Sequence, residues 1–249
     1  MQINFSISMK KRTYLLLSAV ILFFCSCEDK SGDYVEQLFT NTQISNALKQ
    51  CIDSTMVRTL NVLCVVDTIH QELGFSYYDG KTYRILLPPD AKNVMDTLEE
   101  YGYKEHLEAL ILDMNRAAEQ CGDRIVQFWN PIVRDMIFPN PNLLLHSGNS
   151  AITDHVRQTK QNEFINILVS YTLKEQFDAL DVIARWNELQ KTYFEITGKY
   201  SSIDILTPAA QQMSGGFFKK MALEEEALRK DPALRGPITG LLYRVFETL

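Results

Sequence analysis

The chain has 249 residues, with 25 Lys and Arg against 31 Asp and Glu, a formal net charge of −6, 46% hydrophobic and 22% charged residues. That balance belongs to a folded globular protein and excludes a disordered one. An acidic chain with no basic stripe also makes a poor nucleic-acid binder and is repelled by anionic lipid surfaces.

Residues 1–26 read as a lipoprotein signal peptide. Lys10, Lys11 and Arg12 form its positive region, and Met9 makes a better start than the polar stretch before it. Tyr14 to Phe24 is an apolar run of signal length, too short to span a bilayer. Small Ser26 directly before Cys27 resembles the lipobox cut by bacterial lipoprotein signal peptidase, with Phe24 and Cys25 as looser matches. Cys27 is therefore expected to carry a diacylglycerol and an amide-linked acyl chain; at ~0.8 kcal/mol per buried methylene, two or more chains anchor a protein durably to a membrane. An ordinary cleaved signal that leaves Cys27 free is the alternative. Glu28-Asp29-Lys30 follows at once, and in some Gram-negative lineages such an acidic cluster directs export to the cell surface. The location expected is the cell envelope, outer membrane ahead of inner, with surface exposure open. Removal of residues 1–26, which hold three bases and no acids, takes the net charge from −6 to −9. Residues 27–33 then form the lipidated cysteine and tether, and 34–249 a single helical domain.

From Thr42 the positions Ile44, Leu48, Ile52, Val57, Leu60 and Leu63 keep a helical period. Phe75-Ser-Tyr-Tyr, Asp79-Gly80 and Lys81-Thr-Tyr-Arg-Ile predict a β-hairpin near residues 75–86, because a type I′ turn needs positive φ at both central positions. Pro88-Pro89-Asp90 starts a helix that ends at Gly102. The next runs from Tyr103 to Cys121 with a core stripe of Leu107, Leu110, Ile111, Met114, Ala117, Ala118 and Cys121. Another covers Asp123–Met136, with a bend expected at Pro131. Ser150 reads as the N-cap of a helix through Arg157 and beyond. Phe177–Thr197 reads as one helix closed by Gly198, and Pro208–Leu249 as two or three helices interrupted near Pro232 and Pro237. The fold class predicted is all-α, with at most that one hairpin.

Chemistry is harder to find. Cys51 and Cys64 lie 13 residues apart on one helix, about 20 Å at 1.5 Å per residue, beyond any disulfide. With Cys121 they read as small buried hydrophobes, and they offer no metal-ligand spacing. His70, His106, His146 and His155 show no ligand pattern. There is no Gly-x-Ser-x-Gly, and Ser214-Gly215-Gly216 lacks the Lys-Ser/Thr of a phosphate loop. No cofactor or metal is expected.

Three segments stand out: Leu112–Glu119, Ser147–Thr159 and Glu224–Arg235, the last followed by Leu241–Phe246. In this order, behind a signal sequence and Ile85-Leu-Leu-Pro88, they resemble the bacterial domain-of-unknown-function family 4197 over roughly Gln43 to Phe246. The resemblance implies an α-helical envelope lipoprotein without an assigned activity. The chain departs from the pattern at Asn140-Pro141, where Asp-Ala is usual, and at Pro208-Ala209, where Tyr-Val is usual.

Within these segments Asn115 sits off the core stripe, and Arg116 lies on a second face beside Leu112 and Glu119. There it is a semi-buried cation in need of a carboxylate, or an anion clamp. Thr153, Asp154 and Arg157 occupy adjacent turns of one helix, with Asp154–Arg157 spaced as an i,i+3 pair and Glu225–Arg229 as an i,i+4 pair. These seven residues form the candidate polar cluster, with Arg116, Asp154 and Arg157 expected to meet across helices. The leading reading is a non-enzymatic, lipid-anchored binding or scaffolding module. Its partners would be the membrane through Cys27 and an envelope protein or small anionic ligand. The rival is an envelope hydrolase or transferase using Asp154 or a glutamate of 224–226 as base and Arg116 as stabiliser.

Overall fold

Among the described helices only the first opens on a capping box. The computed structural model describes residues 39–249; the signal peptide, Cys27 and the tether lie outside the described residues. α1 (Asn41–Leu63) starts on a capping box, in which the Thr40 hydroxyl accepts the Gln43 amide and the Gln43 side chain accepts the Thr40 amide. It buries Ile44, Leu48, Ile52, Met56, Leu60 and Leu63 along one stripe. There follow α2 (Gly74–Lys81), α3 (Lys92–Glu100), α4 (Lys104–Glu119), α5 (Gly122–Arg134), α6 (Pro141–Leu145) and α7 (Ala151–Ile167). Then come α8 (Leu173–Ala179), α9 (Val182–Thr197), α10 (Leu206–Lys230) and α11 (Leu241–Phe246). The protein is all-α; no strand occurs among the described residues, and no described helix is long and apolar enough to cross a membrane.

α1 and α10 pack on each other and carry the rest, with α7 against α10 and α11 against α1. Trp129 of α5, Phe164 of α7 and Phe217 and Phe218 of α10 stack into one fully buried aromatic cluster, ring centres 5.0–6.3 Å apart. Gly216 lies on the face of α10 toward α2, where a Cβ would stand 3.3 Å from the Phe75 and Tyr83 rings. Glycine at that position lets residues 75–83 lie close against α10.

The predicted hairpin does not form. Asp79 and Gly80 do adopt positive φ (50° and 61°), as the turn signal required, but the residues before them wind into a helical turn, Lys81 (φ 73°) and Thr82 continue the turn after them, and the chain then runs from Arg84 to Pro88 with no partner strand. Two side-chain amides replace that strand. The Ile85 amide donates to Asn115 Oδ1 and its carbonyl accepts from Asn115 Nδ2, both at 2.8 Å. On the other edge, Leu86 exchanges the same pair of bonds with Gln212 of α10, at 3.0 and 2.9 Å. Successive residues of an extended chain point their backbone polar groups to opposite sides, so two amides suffice to satisfy them. A hairpin would have satisfied only one edge.

Two further expectations shift. Phe177–Thr197 is not one helix: Asp181, with φ +54°, breaks it between α8 and α9, and α8 continues α7 through a π turn at Leu168–Thr172. Ser150 holds the N-cap position of α7, yet its hydroxyl donates to Asp154 instead of accepting an amide.

Candidate functional site

The amides left free by Ser150 are taken by a residue 75 positions later in the chain. Glu225, with its side chain wholly enclosed, accepts the Ile152 amide at 3.1 Å and the Thr153 amide at 2.7 Å. A carboxylate on the N-terminus of a helix is favoured both by the free amides and by the dipole. Arg229 holds the same carboxylate at 2.9 Å and donates to the Leu145 carbonyl at 2.7 Å. Arg235 closes the other end of the segment by donating to the Leu228 and Phe246 carbonyls, at 3.0 and 3.1 Å, so it caps α10 and α11 together. Glu224 meanwhile binds Lys220 and, from α1, Arg58 at 2.6 Å. Burial pushes the Glu224 carboxyl up, but Lys220 and Arg58 outweigh it and hold the group below its ordinary range. Thr153, Glu225 and Arg229 are thus brought together in a buried set of bonds that locks α6, α7 and α10. Asp154 and Arg157 stay outside it, half-exposed and 3.8 Å from each other.

Arg116 does not join them. Its partner is Glu119, one turn further along α4, at 2.5 Å. The expected meeting of Arg116 with Asp154 and Arg157 is therefore corrected: a semi-buried cation needs a carboxylate, and one was available three residues away on its own helix face. Glu119 also accepts the Ser76 amide at 2.8 Å, while the Arg116 guanidinium lies 5.3 Å from the Tyr77 ring centre. Gly74, with φ +83°, fits beneath this pair because a Cβ there would run into the Glu119 carboxylate and the Val65 carbonyl. Asn115, Arg116 and Glu119 together fix the stretch from Gly74 to Leu87. A hydrolytic pairing of Arg116 with Asp154 or Glu224–Glu226 has no geometric basis in these contacts.

What that stretch frames is a cavity of about 440 Å³ between α2, the extended segment and α4, lined by Ser76, Tyr77, Lys81, Arg84, Glu105, Glu108, Ala109 and Leu112. The size lies in the range of small-molecule sites. The Arg84 guanidinium makes no hydrogen bond or ion pair with any described residue, and its Nε is shielded from solvent without an acceptor. Ser76, 1% exposed, likewise has an unpartnered hydroxyl. Lys81, which also lines the cavity, holds a positive φ of 73°, a strained conformation for a residue with a Cβ. A buried guanidinium nitrogen and hydroxyl without partners are costly, and a ligand or water in the cavity would satisfy them.

Sequence reading did not single out Ser76, Lys81 or Arg84. The signal available was two cations and three tyrosines in a short glycine-bounded stretch, Gly74 to Leu87, but the hairpin reading assigned them to strands. Among the described residues no group of His, Cys, Asp and Glu could hold a metal ion.

No curated protein and no solved structure matches the chain. A family model does, over residues 38–247, which include all three motif segments and the cavity. The chain belongs to the family described as protein of unknown function (DUF4197).

Proposed function

We propose that this protein is a lipid-anchored binding module of the cell envelope, held by acylated Cys27, that takes a small anionic ligand in the cavity beside Arg84. The observation that carries the reading is the unpaired Arg84 guanidinium on the wall of an open, partly polar cavity. A planar fork with free donors suits a carboxylate. Glu119, Glu224 and Glu225 add to the case for binding over catalysis, because each is committed to a structural partner.

The anchor is supported by the basic start, apolar run and Ser26-Cys27 of the sequence. Labelling of cells with a palmitate analogue should mark the wild type and not Cys27→Ala; equal labelling of both removes the anchor from the proposal. The site is tested by calorimetric titration with sodium propionate. Charge-assisted hydrogen bonds are worth about 1.5–3 kcal/mol, so Arg84→Gln should weaken binding by roughly ten- to a hundredfold. Equal affinity in the two proteins would move the site elsewhere.

A further inference from the structure

The cavity has two walls of opposite charge that do not touch. The 74–87 segment contributes Lys81 and Arg84, and α4 contributes Glu105 and Glu108. Neither the Lys81 ammonium nor the Glu105 carboxylate makes an ion pair or hydrogen bond with any described residue, and Glu108 has only a loose contact with Lys104 at 4.0 Å. Opposite charges on a flexible surface ordinarily close on one another. Here the Arg116–Glu119 pair and the Asn115 amide bonds hold the segment in place, and about 440 Å³ stays open between the charges. Glu105 and Glu108 are one turn apart on one face of α4, so they repel each other and a shared cation would relieve both.

We infer that the ligand is a small zwitterion of the amino-acid class, its carboxylate on Arg84 and Lys81 and its ammonium on Glu105 and Glu108. This rests on the anion-site reading above and adds the second half of the ligand. Tyr77, Ala109 and Leu112 also line the cavity and supply apolar surface for the carbon skeleton of such a molecule. The chemistry has two sources, a free amino acid and the termini of a short peptide, which differ in the separation of their charges.

The test is a calorimetric comparison of L-alanine and L-alanyl-L-alanine with propionate and N-acetyl-L-alanine, which keep the carboxylate and lack the ammonium. At least one zwitterion should bind about tenfold or more tightly than its counterpart. Preference for alanine identifies the free amino acid, and preference for dialanine the peptide. Glu105→Gln/Glu108→Gln should abolish that preference while propionate binds at least as tightly as to the wild type, since two negative charges leave the cavity, whereas Arg84→Gln should weaken all four. None of these side chains holds the fold together, so the variants should melt as the wild type does. If propionate binds as tightly as both zwitterions, or the double variant keeps the preference, the zwitterion is wrong and the anion site stands. If none of the four binds, both readings fall.

Discussion

Replacing Arg116 by Met tests whether the family's first segment is a structural brace. The Arg116 side chain is 12% exposed and that of Glu119 fully enclosed. Arg116→Met leaves the Glu119 carboxylate with the Ser76 amide as its remaining hydrogen-bond donor. Breaking a buried pair from one side costs about 3–5 kcal/mol. With a urea slope of about 2 kcal/mol/M, the unfolding midpoint should fall by about 1.5–2.5 M. Arg116→Met/Glu119→Gln removes both charges, and the glutamine oxygen can still accept the Ser76 amide. The double variant should therefore recover to within about 2 kcal/mol of the wild type. Equilibrium urea unfolding followed by circular dichroism gives all four stabilities of the cycle. Additivity of the two single effects to within about 0.5 kcal/mol would refute the brace, since independent sites behave in that way.

Asn115→Asp replaces the Nδ2 donor to Ile85 and Ile111 with an acceptor and buries a charge. Burial raises the pKa of such a carboxyl above about 3.9, so the deficit against wild type should be smallest below about pH 4 and grow as pH rises toward the folded value; a pH-independent deficit contradicts the amide docking. Asp67 behaves in the opposite sense. The Glu72 amide, opposed by desolvation and joined by those of His70, Leu73 and Gln71, lowers its carboxyl to about 2. Its contribution should be complete above about pH 4 and fade as pH falls toward 2, so the stability gap to Asp67→Asn should narrow over that window. Cys51, Cys64 and Cys121 have thiols pushed up by burial, Cys121 to about 12. All three should resist iodoacetamide in the native protein at pH 8 and react in urea; native-state labelling of Cys51 or Cys121 would show that the core opens there.

Helices with a one-sided apolar stripe were legible, because burial on α4 falls where the 3.6 period places it: Leu107, Leu110, Ile111, Met114, Ala117 and Ala118 are all buried. The segment at 75–86 was half legible. Local sterics set positive φ at Asp79 and Gly80, but what satisfies the backbone beside them is decided by residues up to 126 positions away, Asn115 and Gln212. Periodicity carries no information about such partners. The same limit applies to the cap of α7, where Ser150 has the right chemistry and Glu225 has the stronger claim as a buried carboxylate. Arg116 was correctly recognised as a buried cation in need of a partner. The choice of Glu119 over Asp154 was not visible, because both spacings were compatible with one helix face meeting another. The cavity escaped notice because its Arg84 and Ser76 are defined by what they fail to touch, which a sequence cannot show.

A crystal structure of the protein grown with saturating L-alanyl-L-alanine or L-alanine would show directly what Arg84 holds. A bound molecule is expected, with a carboxylate oxygen about 2.7–2.9 Å from an Arg84 guanidinium nitrogen and its ammonium facing Glu105 and Glu108. A structure in which Arg84 pairs with Glu105 or Glu108, closing the cavity with no ligand inside, would contradict it.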